Sequence, residues 1–301
     1  MDPAEMTHID EALTTGGGDV CPVCGEVATA RIELREYRLF ECMRCHSWSS
    51  DALYRNAETS FVPDNYFSNA DSDLDKWDEL SRRLAWPVRS TRAALDVGCG
   101  TGAYLAHMRE SLGPESRLAG IELESDRVVQ ARSRNPDIEI FEGDARTTLS
   151  RVGNSFDLVT LWDVFEHVDS PAVLLKDLAD HLSDDGVIYI QTIHEQSILP
   201  TVGRLLYRWT GGRLRYPAAR THEAHHLVFF SRVGIDLLAA AAGLRVREMW
   251  FDRLSRDRMD GSAIVTAVTS LVLALENAFG NGLFINLILE RDPDRKSQQR
   301  S

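Results

Sequence analysis

From residue 93 to residue 192 the chain alternates short apolar runs with amphipathic stretches, and this regularity limits its fold more than any other feature. The runs 93–97, 118–121, 138–141, 156–162 and 187–192 read as strands, because each is short and rich in Val, Ile, Leu or Phe. Helical stretches are expected at 102–111, 125–133 and 170–181. Ser125 stands as the cap of the second, which ends before Pro136. Ser170 and Pro171 open the third with a cap and a proline at the first helical position. Asp185-Gly186 is expected to turn the chain into the fifth strand. Apolar strands joined by helices make a parallel sheet covered on both faces, so the fold class is α/β. After residue 192 the period breaks: 193–227 carries four histidines and no clear pattern. Ser231 then caps a helix that Gly243 ends, and strands are expected at 244–250 and 283–289.

The first strand runs into Leu95-Asp96-Val97-Gly98-Cys99-Gly100-Thr101-Gly102. Glycines at such a junction let the chain turn tightly and let a ligand approach the backbone. Gly98, Gly100 and Ala103 satisfy the dinucleotide spacing, and Glu122 ends the next strand, where a ribose-binding acid belongs. On the loop alone an NAD-dependent oxidoreductase stays open. A phosphate loop of the Gly-Lys-Ser/Thr type does not. Asp96 shifts the balance. A carboxylate beside the ligand's charged end suits an ammonium and a sulfonium, and it repels a pyrophosphate. Asp144 adds a third acid at a strand's carboxyl end, the edge where open α/β sheets bind ligands.

The segments LDVGCGTGAYL, GIELESD, EGDA, FDLVTLWDVFEHV and DDGVIYIQT, in that order, resemble the class I S-adenosylmethionine-dependent methyltransferase family. The resemblance covers residues 91–192 well and extends more weakly to 290. It implies a Rossmann-like seven-stranded sheet with helices on both faces and the last strand antiparallel. It implies that Asp96 and the backbone of Gly98, Gly100 and Gly102 hold the methionine end of the donor. By the same resemblance Glu122 takes the ribose hydroxyls, Asp144 and the Ala145 N–H meet the adenine, and Trp162 with Asp163 lines the pocket. Cys99 reads as a small buried residue of the loop.

Cys21-x-x-Cys24 and Cys42-x-x-Cys45 stand seventeen residues apart, a zinc spacing. Four thiolates complete a tetrahedron and leave no open position, so the zinc is expected to be structural. His46 adjoins Cys45 but is not needed. The N-terminal stretch has neither the basic start nor the apolar core of a secretory signal. Paired cysteines in such a chain read as metal ligands in a reducing cytoplasm.

The expected division is a disordered N-terminus at 1–20, a zinc ribbon at 21–50, a connecting segment with a helix near 73–86, a donor-binding domain at 91–291, and a disordered tail. The net charge of −13 argues against a sequence-blind nucleic-acid binder. The apolar run 263–275 is too short to span a bilayer and reads as a buried helix or a homodimer face.

Histidine is the natural general base near neutral pH. His167 follows the fourth strand and His194 the fifth, so both are candidate catalytic residues at the acceptor rim. A second metal site, His222 with His225 or His226, is a further reading. The expected function is methyl transfer from S-adenosylmethionine to oxygen or carbon of a small-molecule acceptor, such as a sugar or secondary metabolite. An RNA methyltransferase, an NAD-dependent oxidoreductase and a non-catalytic docking protein are the alternatives.

Overall fold

In a computed structural model of the protein, residues 19–52, 70–84, 92–252 and 281–294 are described, together with Val272 and Glu276. Three short strands come first: β1 (Ala28–Glu33), β2 (Arg38–Cys42) and β3 (Trp48–Ser50). Helix α1 (Ala70–Arg83) follows. Then come β4 (Ala93–Val97), α2 (Ala103–Leu112), β5 (Arg117–Glu122), α3 (Ser125–Arg134), β6 (Glu139–Glu142), α4 (Ala145–Val152) and β7 (Phe156–Trp162). A single 3₁₀ turn, Phe165–His167, leads to α5 (Pro171–Asp180) and β8 (Leu182–Ile193). The chain continues through α6 (Ile198–Trp209), α7 (Tyr216–Thr221), β9 (Val228–Phe229), α8 (Arg232–Ala241), β10 (Leu244–Asp252) and β11 (Phe284–Arg291).

Seven strands form one sheet in the order β10-β11-β8-β7-β4-β5-β6. β11 runs antiparallel to both neighbours, and the pairings from β8 to β6 are parallel. The expected seven-stranded α/β fold with an antiparallel last strand is the one adopted. From β4 the chain moves outward to β5 and β6, then returns to β7 on β4's other side. The strand order therefore reverses between β4 and β7, the position where such sheets open a ligand crevice.

Alternation along the strands explains the two layers of helices. Leu95 and Val97 of β4 share a core with Leu149 of α4, Leu174 and Leu178 of α5, and Ile235 and Leu238 of α8. Ala94 faces the opposite core with Trp77 and Leu80 of α1, Leu105 and Met108 of α2, and Val128 of α3.

β1, β2 and β3 form a second, antiparallel sheet whose fourth strand is β9. Trp48 pairs with Phe229 and Ser49 with Val228. The next residue, Phe230, bridges to His194 just after β8. One segment, 228–230, thus ties the small sheet to the large one. Ser231 caps α8 and donates its hydroxyl to the Cys45 carbonyl. A Cβ on Gly234 would meet Ser47 Oγ at 2.2 Å, so glycine lets the first turn of α8 lie against the cysteine turn.

Several local expectations need correction. Residues 193–227 hold two helices, α6 and α7, where no period was read. Pro200 sits in the first turn of α6, where a missing N–H costs nothing. A Cβ on Gly203 would meet the Pro217 carbonyl at 3.0 Å, so this glycine lets α7 cross closely. Asp185-Gly186, by contrast, turns the chain as expected: Phe156 pairs with Leu182 but Leu158 with Val187, so three extra residues of β8 loop out before Val187, and a Cβ on Gly186 would stand 2.5 Å from the Phe156 carbonyl and 3.1 Å from the Ser183 nitrogen. Helix α4 was not anticipated. Ser125 is the first residue of α3, not its cap, and donates to Glu142 at 2.5 Å. Residues 1–18, 53–69, 85–91 and 295–301, and the apolar run 263–275 apart from Val272, lie outside the described residues. Among the described residues no helix is long and apolar enough to cross a membrane.

Candidate functional site

Gly98, Gly100 and Gly102 all adopt left-handed backbone, with φ of 72°, 54° and 74°. That conformation strains any residue with a Cβ. The N–H groups of Gly98 and Cys99 both donate to the Ile121 carbonyl, at 2.8 and 3.0 Å, which folds the loop back onto β5. Space forbids substitution as well. A Cβ on Gly98 would stand 2.3 Å from Val164 Cγ2, and one on Gly102 would stand 2.4 Å from Asn135 Nδ2. Cys99 is buried as expected, with its sulfur filling the space left by Gly120.

Two carboxylates flank this loop out of contact with water. Asp96 is 2% exposed and Glu122 5%. Thr160 Oγ1 donates to Asp96 Oδ1 at 2.7 Å. Glu122 accepts from the N–H of Gly100 at 2.8 Å and of Glu124 at 2.9 Å. Burial pushes the Asp96 carboxyl up to about 7, and the neighbouring Glu122 charge adds to the shift. Among the described residues neither acid has an ion-pair partner. Buried carboxylates in that state favour a cationic ligand.

The Gly143 N–H donates to the Glu122 carbonyl at 2.9 Å, which brings the loop before α4 beside Glu122. In that loop Asp144 is exposed and caps α4, accepting from the N–H of Arg146 at 3.0 Å and of Thr147 at 3.4 Å. Ala145 is the first residue of that helix. Trp162 ends β7 with its ring 5.2 Å from Tyr104 and 4.4 Å from Tyr189. Its indole Nε1 is buried with no hydrogen-bond partner.

Beyond β7, Asp163 is left-handed at φ 52° and the 3₁₀ turn follows. Glu166 is 1% exposed and accepts from Thr192 Oγ1 at 2.7 Å. Burial pushes its carboxyl up to about 8, with Asp163 contributing. His167 Nδ1 lies 2.8 Å from the His225 carbonyl, and burial holds the imidazole below its usual range. His225 and His226 stand beside it, with ring centroids 5.5 and 4.9 Å away. His194 is buried at the end of β8, its Nδ1 3.2 Å from the Gly282 carbonyl and its ring 4.8 Å from Phe251. Burial lowers this imidazole too.

His222 does not join His225 or His226 in a metal-binding group. Its Nε2 lies 3.0 Å from Glu195 Oε2, and Arg204 donates to the same carboxylate. All three lie under the small sheet, where Arg204 covers the Trp48 ring. Donor atoms of Glu166, His167 and His226 do converge, within 4.8 Å of one another. Sequence reading missed Glu166, Glu195 and Arg204. Glu166 and Glu195 each adjoin a candidate histidine, which was the available signal.

Cys21, Cys24, Cys42 and Cys45 are buried, and their sulfurs fall within 4.8 Å of one another. Cys21 and Cys45 sulfurs are 3.6 Å apart, Cys24 and Cys42 3.5 Å, and all four are free thiols. A disulfide would need about 2.05 Å. A tetrahedron of sulfurs at 2.3 Å from zinc has edges of about 3.8 Å, close to what is found. The four residues therefore fit a zinc ion. His46 is exposed in a left-handed turn and takes no part.

A doubly covered sheet, a left-handed glycine turn at its switch point and an acid on each of the first two strands define a class I S-adenosylmethionine-dependent methyltransferase. The chain belongs to the methyltransferase domain family, whose model matches residues 66–249. A dTDP-3-amino-3,6-dideoxy-alpha-D-glucopyranose N,N-dimethyltransferase of Streptomyces fradiae is 37% identical over 101 residues, which is 32% of this chain and 38% of that protein. A mitochondrial ubiquinone biosynthesis O-methyltransferase of Candida albicans is 29% identical over 114 residues, 36% of this chain and 35% of that one. The chain thus spans under half the length of these relatives. A solved S-adenosylmethionine-dependent methyltransferase from Archaeoglobus fulgidus shares the fold, with a TM-score of 0.51 at 15% identity over 76% of this chain and 100% of that one.

Proposed function

We propose that the protein transfers a methyl group from S-adenosylmethionine to a small-molecule acceptor. The observation that carries this reading is the pair Asp96 and Glu122, buried beside the glycine turn with no ion-pair partner among the described residues. When bound, the donor supplies a methyl group on a positively charged sulfur. Asp96 and the backbone of Gly98, Gly100 and Gly102 would hold its ammonium end. Glu122 would accept from the ribose hydroxyls, exchanging bonds it now takes from backbone N–H groups. Asp144 and Ala145 would meet the adenine, and Trp162 would close the pocket with its free indole N–H.

Transfer is an in-line displacement, so the chain's task is to align the acceptor and take its proton. His167 and His194 are the candidate bases. Each is held by a backbone carbonyl at Nδ1, which presents Nε2 as the acceptor nitrogen. Oxygen or carbon methylation of a sugar or secondary metabolite fits these bases. The curated relatives named above act on an amino sugar and in ubiquinone biosynthesis, which supports a small acceptor. The four cysteines would hold a structural zinc, with no open position for chemistry.

Calorimetry with S-adenosylmethionine and with NADH separates the readings. Micromolar binding of the first alone is expected. Binding of the dinucleotide alone would overturn the assignment.

A further inference from the structure

We propose that Glu166, His167 and His226 form a divalent-cation site that positions and acidifies a hydroxyl of the acceptor. The proposal deepens the methyl-transfer reading and rests on it, because it names the acceptor chemistry of the same site. The three side chains offer one carboxylate oxygen and two imidazole nitrogens within 4.8 Å of one another. Two distant segments bring them together, and two hydrogen bonds fix those segments. His167 Nδ1 is bonded to the His225 carbonyl at 2.8 Å, and the Leu227 N–H donates to the Glu166 carbonyl at 2.8 Å. His226 stands between these two anchors.

Each side chain is prepared as ligating residues are. A metal-binding histidine commonly gives its second ring N–H to a carbonyl, which fixes the tautomer and aims the other nitrogen. His167 does so through Nδ1, leaving the Nε2 lone pair free. A ligating carboxylate is commonly steadied by an outer hydrogen bond, and Thr192 supplies one to Glu166 Oε2 at 2.7 Å. His226 Nδ1 is buried with no hydrogen-bond partner. A buried nitrogen left without a partner costs free energy that a bound cation would recover.

The donor set decides which ions suit. One carboxylate with two imidazoles favours a borderline divalent ion such as manganese, iron, cobalt or zinc over calcium or magnesium. Three protein ligands leave coordination positions open, unlike the closed four-sulfur site. The place is also right. Val164 belongs to the same loop and packs against Gly98, so the cluster adjoins the glycine turn.

An acceptor hydroxyl on the cation would lose its proton to water, because a divalent ion lowers the pKa of a bound oxygen. The new bond forms between that oxygen and the methyl carbon as the carbon–sulfur bond breaks. The sulfur leaves as a neutral thioether. His167 then acts as a ligand, and the reaction is an O-methylation.

The test is titration of the full, zinc-loaded chain with Mn2+, followed by the paramagnetic resonance signal of the free ion. One saturable site per chain beyond the zinc is expected. His226→Ala and Glu166→Gln should each weaken it at least about tenfold. Glu166→Gln keeps the shape and the Thr192 bond, so it guards against a variant that merely misfolds. Unchanged zinc content and S-adenosylmethionine affinity certify both variants. Absence of saturable uptake, or uptake that neither variant alters, overturns the site. Manganese uptake by a chain that fails to bind S-adenosylmethionine would sink the methyl-transfer reading and leave the cation site standing.

Discussion

Val164 fills the space a side chain at Gly98 would need: a Cβ there would stand 2.3 Å from Val164 Cγ2. The contact joins the carboxyl ends of β4 and β7 where the strand order reverses, so the glycine turn and the loop after β7 form one wall. Gly98→Ala meets two penalties, the left-handed backbone at φ 72° and this close approach. Gly113→Ala meets only the first, since φ there is 82° with nothing within 4 Å. The control should lose about 1 kcal/mol in a denaturant melt. Gly98→Ala should lose more, and its S-adenosylmethionine affinity by calorimetry should fall about a hundredfold or beyond. Equal behaviour of the two variants would show that the Val164 contact does not matter.

The buried Asp96 carboxyl makes stability depend on pH in an unusual direction. Its usual pKa near 3.8 is pushed up to about 7 in the fold by burial. Between those values the folded chain holds a proton that the unfolded chain has lost, so stability falls as pH rises from about 4 to 7. The shift corresponds to about 4 kcal/mol as an upper bound. Asp96→Asn cannot ionise and should be more stable than the parent without ligand at pH 8, with the gap closing toward pH 4. The same variant should lose donor binding at every pH. The parent's affinity should weaken up to about tenfold for each pH unit below 7. Thermal melts and calorimetry across pH 5–8 read both effects.

The sheet was legible because buried parallel strands are apolar throughout and stand out between helices. The glycine turn, Asp96 and Glu122 were legible because residues close in sequence carry the local constraint. The ribbon followed from cysteine spacing alone. What stayed hidden is set by contacts between distant segments. Pro200 and Gly203 look like breakers, yet one sits in a first turn and the other makes room for α7. His222 was grouped with its sequence neighbours, but its partners are Glu195 and Arg204, brought in by the end of β8 and by α6. Nothing near β9 in sequence announces that it completes the ribbon's sheet.

Glu195 is 1% exposed between Arg204 and His222, and removing it would strand a half-buried cation and a buried imidazole together. Breaking a buried pair of this kind costs about 3–5 kcal/mol. Glu195→Ala should show that loss in denaturant unfolding. Glu195→Gln keeps the shape and should lose less. Because the cluster lies under Trp48 and the small sheet, both variants should also release zinc faster to a chelator than the parent does. A loss below about 1 kcal/mol would place the carboxylate's partners in solvent instead.

Zinc removal should reach further than the ribbon. Cys45 would hold one of the four sulfur positions of the proposed zinc site, and its carbonyl accepts from Ser231, the cap of α8. The strand ahead of that cap, β9, pairs with β3 and then bridges to β8 through Phe230 and His194. A ribbon this small buries too little apolar surface to stay folded unaided, so under the proposed zinc assignment the metal would supply its stability. Chelation, or Cys45→Ser, should therefore free the segment 228–231 as well as residues 21–50. Hydrogen exchange at Val228, Phe229 and Phe230 should speed up by an order of magnitude or more, while amides of β4 and β5 stay protected. Donor binding, assigned by the proposed function to the ends of β4 and β5, should persist. Turnover should fall, because in the proposed function 225–230 supplies the acceptor side of the site. If exchange in 228–230 kept its pace after zinc loss, the two sheets would be coupled by packing alone and the ribbon would have no hold on the acceptor loop.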